Sequence, residues 1–262
     1  MTPEAPKQGG DEAPFFIGWS NSIPKGLGGF LLLVIFGFMA GMGAAAFGLS
    51  ASQTDPGNGD PGWSQGRQEL IGRLEYNPYP ILRVPASEGL PARAYLLAGM
   101  GKRGVFERSE DLDGLMVRAE GFVSNRAGIY MMQVVNAARG LQPADEYGPA
   151  DYFPSNPEKL GKWQITGEIC DGKCYAGLMR PGTGLAHKAC ANLCLSDKVP
   201  AVFVSASPVD GNEALVLADQ NGNFFGDEIS PITALYLTAE GHVERVDDIL
   251  IFKMDPSTVE VR

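Results

Sequence analysis

All four cysteines of the chain lie in one short segment, together with one of its two histidines. Three residues separate the cysteines of each pair, and the histidine precedes the second pair by three residues. Thiolate sulfur and imidazole nitrogen are preferred ligands of zinc and copper, and cysteine clusters also hold iron–sulfur centres. Metal or cluster binding is therefore one expectation for a site made of Cys170, Cys174, His187, Cys190 and Cys194.

Disulfide bonding is the first expectation for the same sulfurs, with the metal site as its alternative. An oxidising compartment favours two disulfides, and pairing between the two Cys-x3-Cys groups is favoured over pairing within one group. Such bonds would hold a glycine-rich segment that has little apolar core of its own. A further alternative is a reactive thiol pair with His187 as its base.

The second cysteine pair is predicted to lie on a short helix. Thr183 is a typical N-cap residue and precedes a run without helix breakers other than Gly184. His187, Cys190 and Cys194 are spaced at i, i+3 and i+7, which places them on one face of such a helix.

The segment over residues 168–194 reads EICDGKCYAGLMRPGTGLAHKACANLC. It resembles a segment of membrane-anchored bacterial proteins that accompany membrane oxidoreductases. The resemblance covers about a tenth of the chain. It implies an accessory role beside an electron-transfer complex.

The cysteine segment interrupts the second of two similar regions. The region from Ala94 aligns without gaps with the region from Ala214, at a constant offset of 120 residues. This offset superposes two Ala-Glu-Gly tripeptides, which begin at Ala119 and Ala239. Upstream of the alignment the second region is longer by 26 residues, which coincide with the cysteine segment. The pattern predicts an internal duplication with an insertion in its second copy.

Short apolar runs punctuated by glycine predict a mainly β fold outside the membrane. Each copy is predicted to form an OB-like small β-barrel, so that two tandem duplicated barrels result. The expected domains are residues 67–140 and residues 163–262, the latter with the Cys/His insertion at 170–195. A proline-rich linker over residues 141–162 would join them.

One stretch of the chain is long and apolar enough to cross a bilayer. Residues 26–50 carry no charge and predict a transmembrane helix, followed by a linker over residues 51–66. A cleaved signal peptide is the alternative, although its apolar region is usually shorter. The helix also repeats small residues every four positions, at Gly37, Gly41 and Ala45, which predicts packing against an integral-membrane partner.

Positive charges next to the span predict its orientation. Lys7 and Lys25 precede the helix, whereas the first positive residue after it is Arg67. The positive-inside rule then places the tail, residues 1–25, in the cytoplasm and the C-terminal domains in the periplasm, with the helix in a bacterial inner membrane.

Composition and motifs limit the function classes. The net charge of −10 disfavours nucleic acid and suits a basic protein surface as a periplasmic partner. No P-loop, G-x-S-x-G or H-E-x-x-H motif occurs, so an enzyme is not expected. The sequence predicts a non-catalytic, single-span accessory subunit of a membrane oxidoreductase. The alternative is a periplasmic redox protein with Zn, Cu or an iron–sulfur cluster at the cysteines and His187.

Overall fold

The computed structural model of the chain describes residues 25–52, 57, 59–87, 89–136, 138–144 and 156–262. Two compact units divide the chain, Met1–Asp55 and Pro56–Arg262. Almost all of the predicted cytoplasmic tail and the middle of the predicted proline-rich linker lie outside the described residues.

The first unit contains one long apolar helix, α1, at Leu27–Ser52. Its span Leu27–Ala51 has a mean hydropathy of 2.3, and 25 helical residues extend about 37 Å, more than the ~30 Å of a bilayer core. The predicted apolar helix is therefore confirmed. Its length and composition suit a membrane anchor and also a signal sequence near the N-terminus.

The second unit begins with a six-stranded sheet. Its strands are β1 Gln68–Glu75, β2 Ile81–Val84, β3 Arg93–Gly99, β4 Met116–Arg126, β5 Ile129–Val134 and β6 Leu141–Pro143. The order is β1-β2-β3-β5-β4-β6, and β1 also pairs with β4. The pairing of β3 with β5 is parallel, and a single turn of helix, α2 at Phe106–Ser109, lies between β3 and β4.

A closed five-stranded barrel follows, so the prediction of a mainly β fold is confirmed. Its strands are β7 Glu158–Asp171, β8 Ala201–Val209, β9 Asn212–Ala218, β10 Leu237–Val246 and β11 Ile249–Val261. They close in the order β10-β11-β9-β8-β7, with β9 and β11 parallel. Helix α3, at Lys188–Ser196, lies in the connection between β7 and β8.

A strand pair of the first β region and a strand pair of the second are related by the same offset of 120 residues that relates the two sequences. Gly121 on β4 is opposite Val134 on β5, and Gly241 on β10 is opposite Met254 on β11. A Cβ atom on either glycine would overlap a carbonyl oxygen of the neighbouring strand. Both positions therefore require glycine for close backbone approach, which is a structural role.

The two β regions are packed into one unit, whereas the sequence predicted separate barrels. One cluster of buried side chains includes Ile81 and Met131 from the six-stranded sheet and Val216 from the barrel. Buried Arg83 on β2 also pairs with Asp247, with 3.1 Å between Nη1 and Oδ2. Apolar and charged contacts between residues far apart in sequence thus join the two regions.

The predicted linker over residues 141–162 differs from the structure at both ends. Strand β6 occupies its first residues and pairs with β4, and β7 already begins at Glu158. The linker was predicted from its prolines, but Pro143 lies in β6, an edge strand, where a missing N–H is tolerated.

Candidate metal centre

The cysteine segment fills the connection between β7 and β8. The corresponding connection between β1 and β2 spans only residues 76–80. Cys170 lies near the end of β7, Cys174 begins an irregular helical turn at Cys174–Leu178, and Cys190 and Cys194 lie on α3. The segment therefore forms one local substructure on the barrel.

The predicted helix start at Thr183 is wrong. Helix α3 begins at Lys188 and is preceded by a 3-10 turn at Leu185–His187. Gly184 has a φ of 79°, a left-handed conformation that a right-handed helix cannot contain. Its N–H donates to the carboxylate of Glu168, with 2.8 Å to Oε2, which fixes the turn before the helix.

A buried histidine and carboxylate pair forms the centre of the segment. Nε2 of His187 lies 2.8 Å from Oδ2 of Asp171, and the side chains are 1% and 0% exposed. The other oxygen, Oδ1, accepts the backbone N–H of Cys174 at 2.9 Å. An ionised carboxylate is only an acceptor, so a neutral imidazole in this contact carries its proton on Nε2 and keeps a lone pair on Nδ1.

The Nδ1 atom of His187 is buried. It has no hydrogen-bond partner among the residues that the structure describes. Ligand atoms of Cys174, His187 and Cys190 all lie within 4.8 Å of one another. We call these three residues the CHC triad. The CHC triad is a group that can hold a metal ion.

Two of the predicted ligands lie outside the CHC triad. Cys170 is buried and its thiol donates to the carbonyl oxygen of Gly182 at 2.6 Å. Burial raises the pKa of the Cys170 thiol, which favours this protonated form. Ligand atoms within 4.8 Å of one another also group Cys170 with Asp171 and His187, and Cys194 with Asp171 and Cys174.

The four cysteines are free thiols in the structure, and Cys174 lies close to both Cys190 and Cys194. Sγ of Cys174 lies 3.9 Å from Sγ of Cys190. A hydrogen bond between the side chains of Cys174 and Cys194 raises the pKa of Cys174 well above its usual range and lowers the pKa of Cys194. The disulfide expectation therefore stays a prediction, and it would require the sulfurs to approach to about 2.05 Å.

Two lysines next to the sulfurs were not predicted from the sequence. Nζ of Lys102 lies 2.6 Å from Sγ of Cys190. Lys173 is completely buried, and its Nζ donates to the carbonyl oxygens of Gly99, at 2.5 Å, and Gly101. Gly99 is the last residue of β3, and Gly101 and Lys102 lie in the loop that follows it. The sequence could have indicated the Lys173 contact through the glycines of this loop. Glycine has no side chain, so a buried ammonium can reach its backbone carbonyl.

A methionine on the solvent side was also missed. Sδ of Met179 lies 3.7 Å from Sγ of Cys190, and Met179 is 43% exposed. Cys174, Cys194 and His187 are buried, whereas Cys190 is only partly buried. The centre therefore has a closed side at His187 and an accessible side at Cys190 and Met179.

Gly37, Gly41 and Ala45, which were predicted to pack against a partner helix, lie on α1 in the other unit. Among the described residues, nothing lies within 4 Å of a Cβ atom placed on Gly37 or Gly41, so in this part of the chain the strip is open to a partner helix. The partner itself stays a prediction, as does the relationship to oxidoreductase-associated proteins. No protein-family model, no curated protein and no solved structure matches this chain.

Proposed function

We propose that this protein is a membrane-anchored metal-binding protein whose centre is the CHC triad. Cys174 and Cys190 supply thiolates, and His187 supplies the lone pair of Nδ1. Asp171 holds the imidazole in the required tautomer, as carboxylates commonly do beside metal-bound histidines. Helix α1 supplies the anchor.

The observation that carries this proposal is the unsatisfied Nδ1 atom of His187. A buried polar atom without a partner costs about 1–3 kcal/mol. A ring nitrogen of His187 lies within 4.8 Å of Sγ of Cys174 and of Sγ of Cys190. A metal bond to Nδ1 gives this atom the partner that it lacks among the described residues.

The spacing of the sulfurs supports the same proposal. Two sulfurs bound at ~2.3 Å to one ion are about 3.8 Å apart in a tetrahedron and about 4.0 Å apart in a trigonal plane. Sγ of Cys174 and Sγ of Cys190 are 3.9 Å apart. Binding an ion therefore requires little movement of either side chain.

We infer further that the β unit consists of two tandem duplicated OB-like barrels. The strand orders agree, since β1 to β5 and β7 to β11 each pair first with second, second with third, third with fifth, fifth with fourth and fourth with first. The offset of 120 residues in paired strands supports a common origin. The cysteine segment is then an insertion between the first two strands of the second copy.

A location in the bacterial periplasm and an accessory role beside a membrane redox complex complete the proposal. The accessible small-residue strip of α1 and the charges that flank it support these two points. Purification of the native protein in mild detergent tests the accessory role. A co-purifying integral-membrane subunit that is lost in Gly41→Leu supports it, and a monodisperse single chain contradicts it.

Elemental analysis combined with thiol titration tests the metal proposal on the full chain in detergent. We expect one metal ion per chain, lost in Cys190→Ser and retained in Cys170→Ser. The second variant is the matched control, because its hydroxyl can still donate to Gly182. A wild-type protein without metal and without titratable thiols would identify the cysteines as disulfides and overturn the proposal.

A further inference from the structure

The accessible side of the CHC triad contains a third sulfur. Sγ of Cys190 has Sγ of Cys174 at 3.9 Å on one side and Sδ of Met179 at 3.7 Å on the other. Both separations suit sulfurs that share one ion with bonds of ~2.3 Å. Met179 is thus placed to act as a ligand beside the CHC triad.

A thioether changes which ion the centre prefers. Thioether sulfur is a soft, uncharged donor that binds Cu(I) and contributes little to Zn(II), whose usual ligands are thiolate, imidazole and carboxylate. Two thiolates, an imidazole and a thioether form a soft donor set. The chemistry of the donors therefore favours Cu(I).

Positive charge beside the sulfurs points in the same direction. Nζ of Lys102 lies 2.6 Å from Sγ of Cys190. The buried ammonium of Lys173 lies in the cysteine segment, next to Cys174 in sequence. Coulomb repulsion by a fixed cation is twice as large for a divalent ion as for a monovalent ion at the same distance. The lysines therefore penalise Zn(II) more than Cu(I).

The exposure of the ligands indicates how the ion arrives and leaves. His187 and Cys174 are buried, whereas Met179 is largely exposed. A solvent-accessible thioether can contact an incoming ion before the buried ligands do. Cu(I) carried by another protein or a small thiol can thus contact Met179 and the partly exposed Cys190 before it reaches the buried ligands.

We propose that the centre is a Cu(I) site in which Met179 is the fourth ligand and the point of ion exchange. This inference rests on the proposed function, because it assumes that the CHC triad binds a metal. It adds the identity of the ion and a ligand that lies outside the cysteine and histidine set.

Competition with chromogenic chelators tests the proposal, with Cu(I) and Zn(II) titrated separately into the reduced full chain in detergent under anaerobic conditions. Met179→Leu keeps the volume of the side chain and removes the thioether. We expect it to lower Cu(I) affinity about tenfold or more while Zn(II) affinity stays within about twofold. Met116→Leu on β4 is the matched control and should change neither affinity.

X-ray absorption at the copper edge gives a second readout. The wild-type centre should have three sulfur neighbours, and Met179→Leu should have two. Equal affinities of wild type and Met179→Leu for Cu(I), or equal losses for both ions, would overturn the assignment of Met179. Zn(II) binding that Cu(I) cannot displace would overturn the Cu(I) assignment alone. A wild-type chain that binds neither ion would overturn the metal centre itself.

Discussion

Nε2 of His187 lies 2.8 Å from Oδ2 of Asp171, and both side chains are almost completely buried. This contact determines which ring nitrogen is available, because the proton on Nε2 leaves Nδ1 as the lone-pair donor. The second carboxylate oxygen is held by the backbone N–H of Cys174, so the carboxylate also ties the histidine to a sulfur ligand. Orientation of the imidazole is thus built into the fold before any ion binds.

Replacement of the carboxylate should weaken the metal centre without removing a ligand. Asp171→Asn keeps the shape of the side chain but loses the charge that orients and polarises His187. We expect metal affinity to fall about 10- to 100-fold in chelator competition. Asp197→Asn, at the exposed C-terminal end of α3, is the control and should leave the affinity unchanged. Wild-type affinity in Asp171→Asn would contradict the orienting role.

Removal of the buried Lys173 ammonium should destabilise the contact between the cysteine segment and the chain at the end of β3. Lys173→Met leaves the carbonyl oxygens of Gly99 and Gly101 without their donor. Gly99 is buried whereas Gly101 is exposed, and one unsatisfied buried carbonyl costs about 1–3 kcal/mol, so the free energy of unfolding should fall by at least ~1 kcal/mol. Urea denaturation measures this change. Lys159→Met, exposed on β7, is the comparison, and an equal effect of the two substitutions would disprove the prediction.

The ion pair between the two β regions should contribute more than an exposed pair. Arg83 is 2% exposed and contacts Glu75 at 2.6 Å as well as Asp247. Arg83→Met leaves two carboxylates without their buried cation, and we expect a loss of about 3 kcal/mol in unfolding free energy. Arg67→Met breaks an exposed pair with Glu120 and should cost less than ~1 kcal/mol. Similar losses in both variants would show that burial of Arg83 has no energetic consequence.

The corresponding glycines of the two β regions should be equally intolerant of a side chain. A Cβ atom at Gly121 or Gly241 would overlap a carbonyl oxygen on the next strand. We expect Gly121→Ala and Gly241→Ala each to lower the unfolding free energy by about 1–3 kcal/mol. Gly37→Ala in α1 has open space around it and should be tolerated. A neutral effect at either strand position would contradict the close approach of the two backbones.

Periodicity in the sequence predicted part of the fold, whereas the duplication stays a prediction. The uncharged stretch identified α1, and short apolar runs identified the β unit. The repeat offset of 120 residues recurs in the register of paired strands, for example Gly121 with Val134 and Gly241 with Met254. These features depend on local patterns, which a single sequence contains.

Packing between distant residues accounts for what the sequence did not predict. The shared core joins Ile81 to Val216, and no local pattern encodes that contact. Lys102 and Met179 carry no motif, although both lie within 4 Å of Sγ of Cys190. The spacing of cysteines likewise did not indicate that Cys170 donates to a backbone carbonyl instead of joining the CHC triad.

In the proposed centre, Nδ1 of His187 binds the metal while Nε2 stays hydrogen-bonded to Asp171. Nitrogen NMR of the ¹⁵N-histidine-labelled full chain in detergent measures this directly, because the chain has only two histidines and His242→Gln assigns the signals. On addition of Cu(I) or Zn(II), we predict that the Nδ1 resonance of His187 shifts to that of a metal-bound nitrogen and that Nε2 keeps its proton. Unchanged resonances for both nitrogens, or a shift confined to Nε2, would contradict the proposed centre.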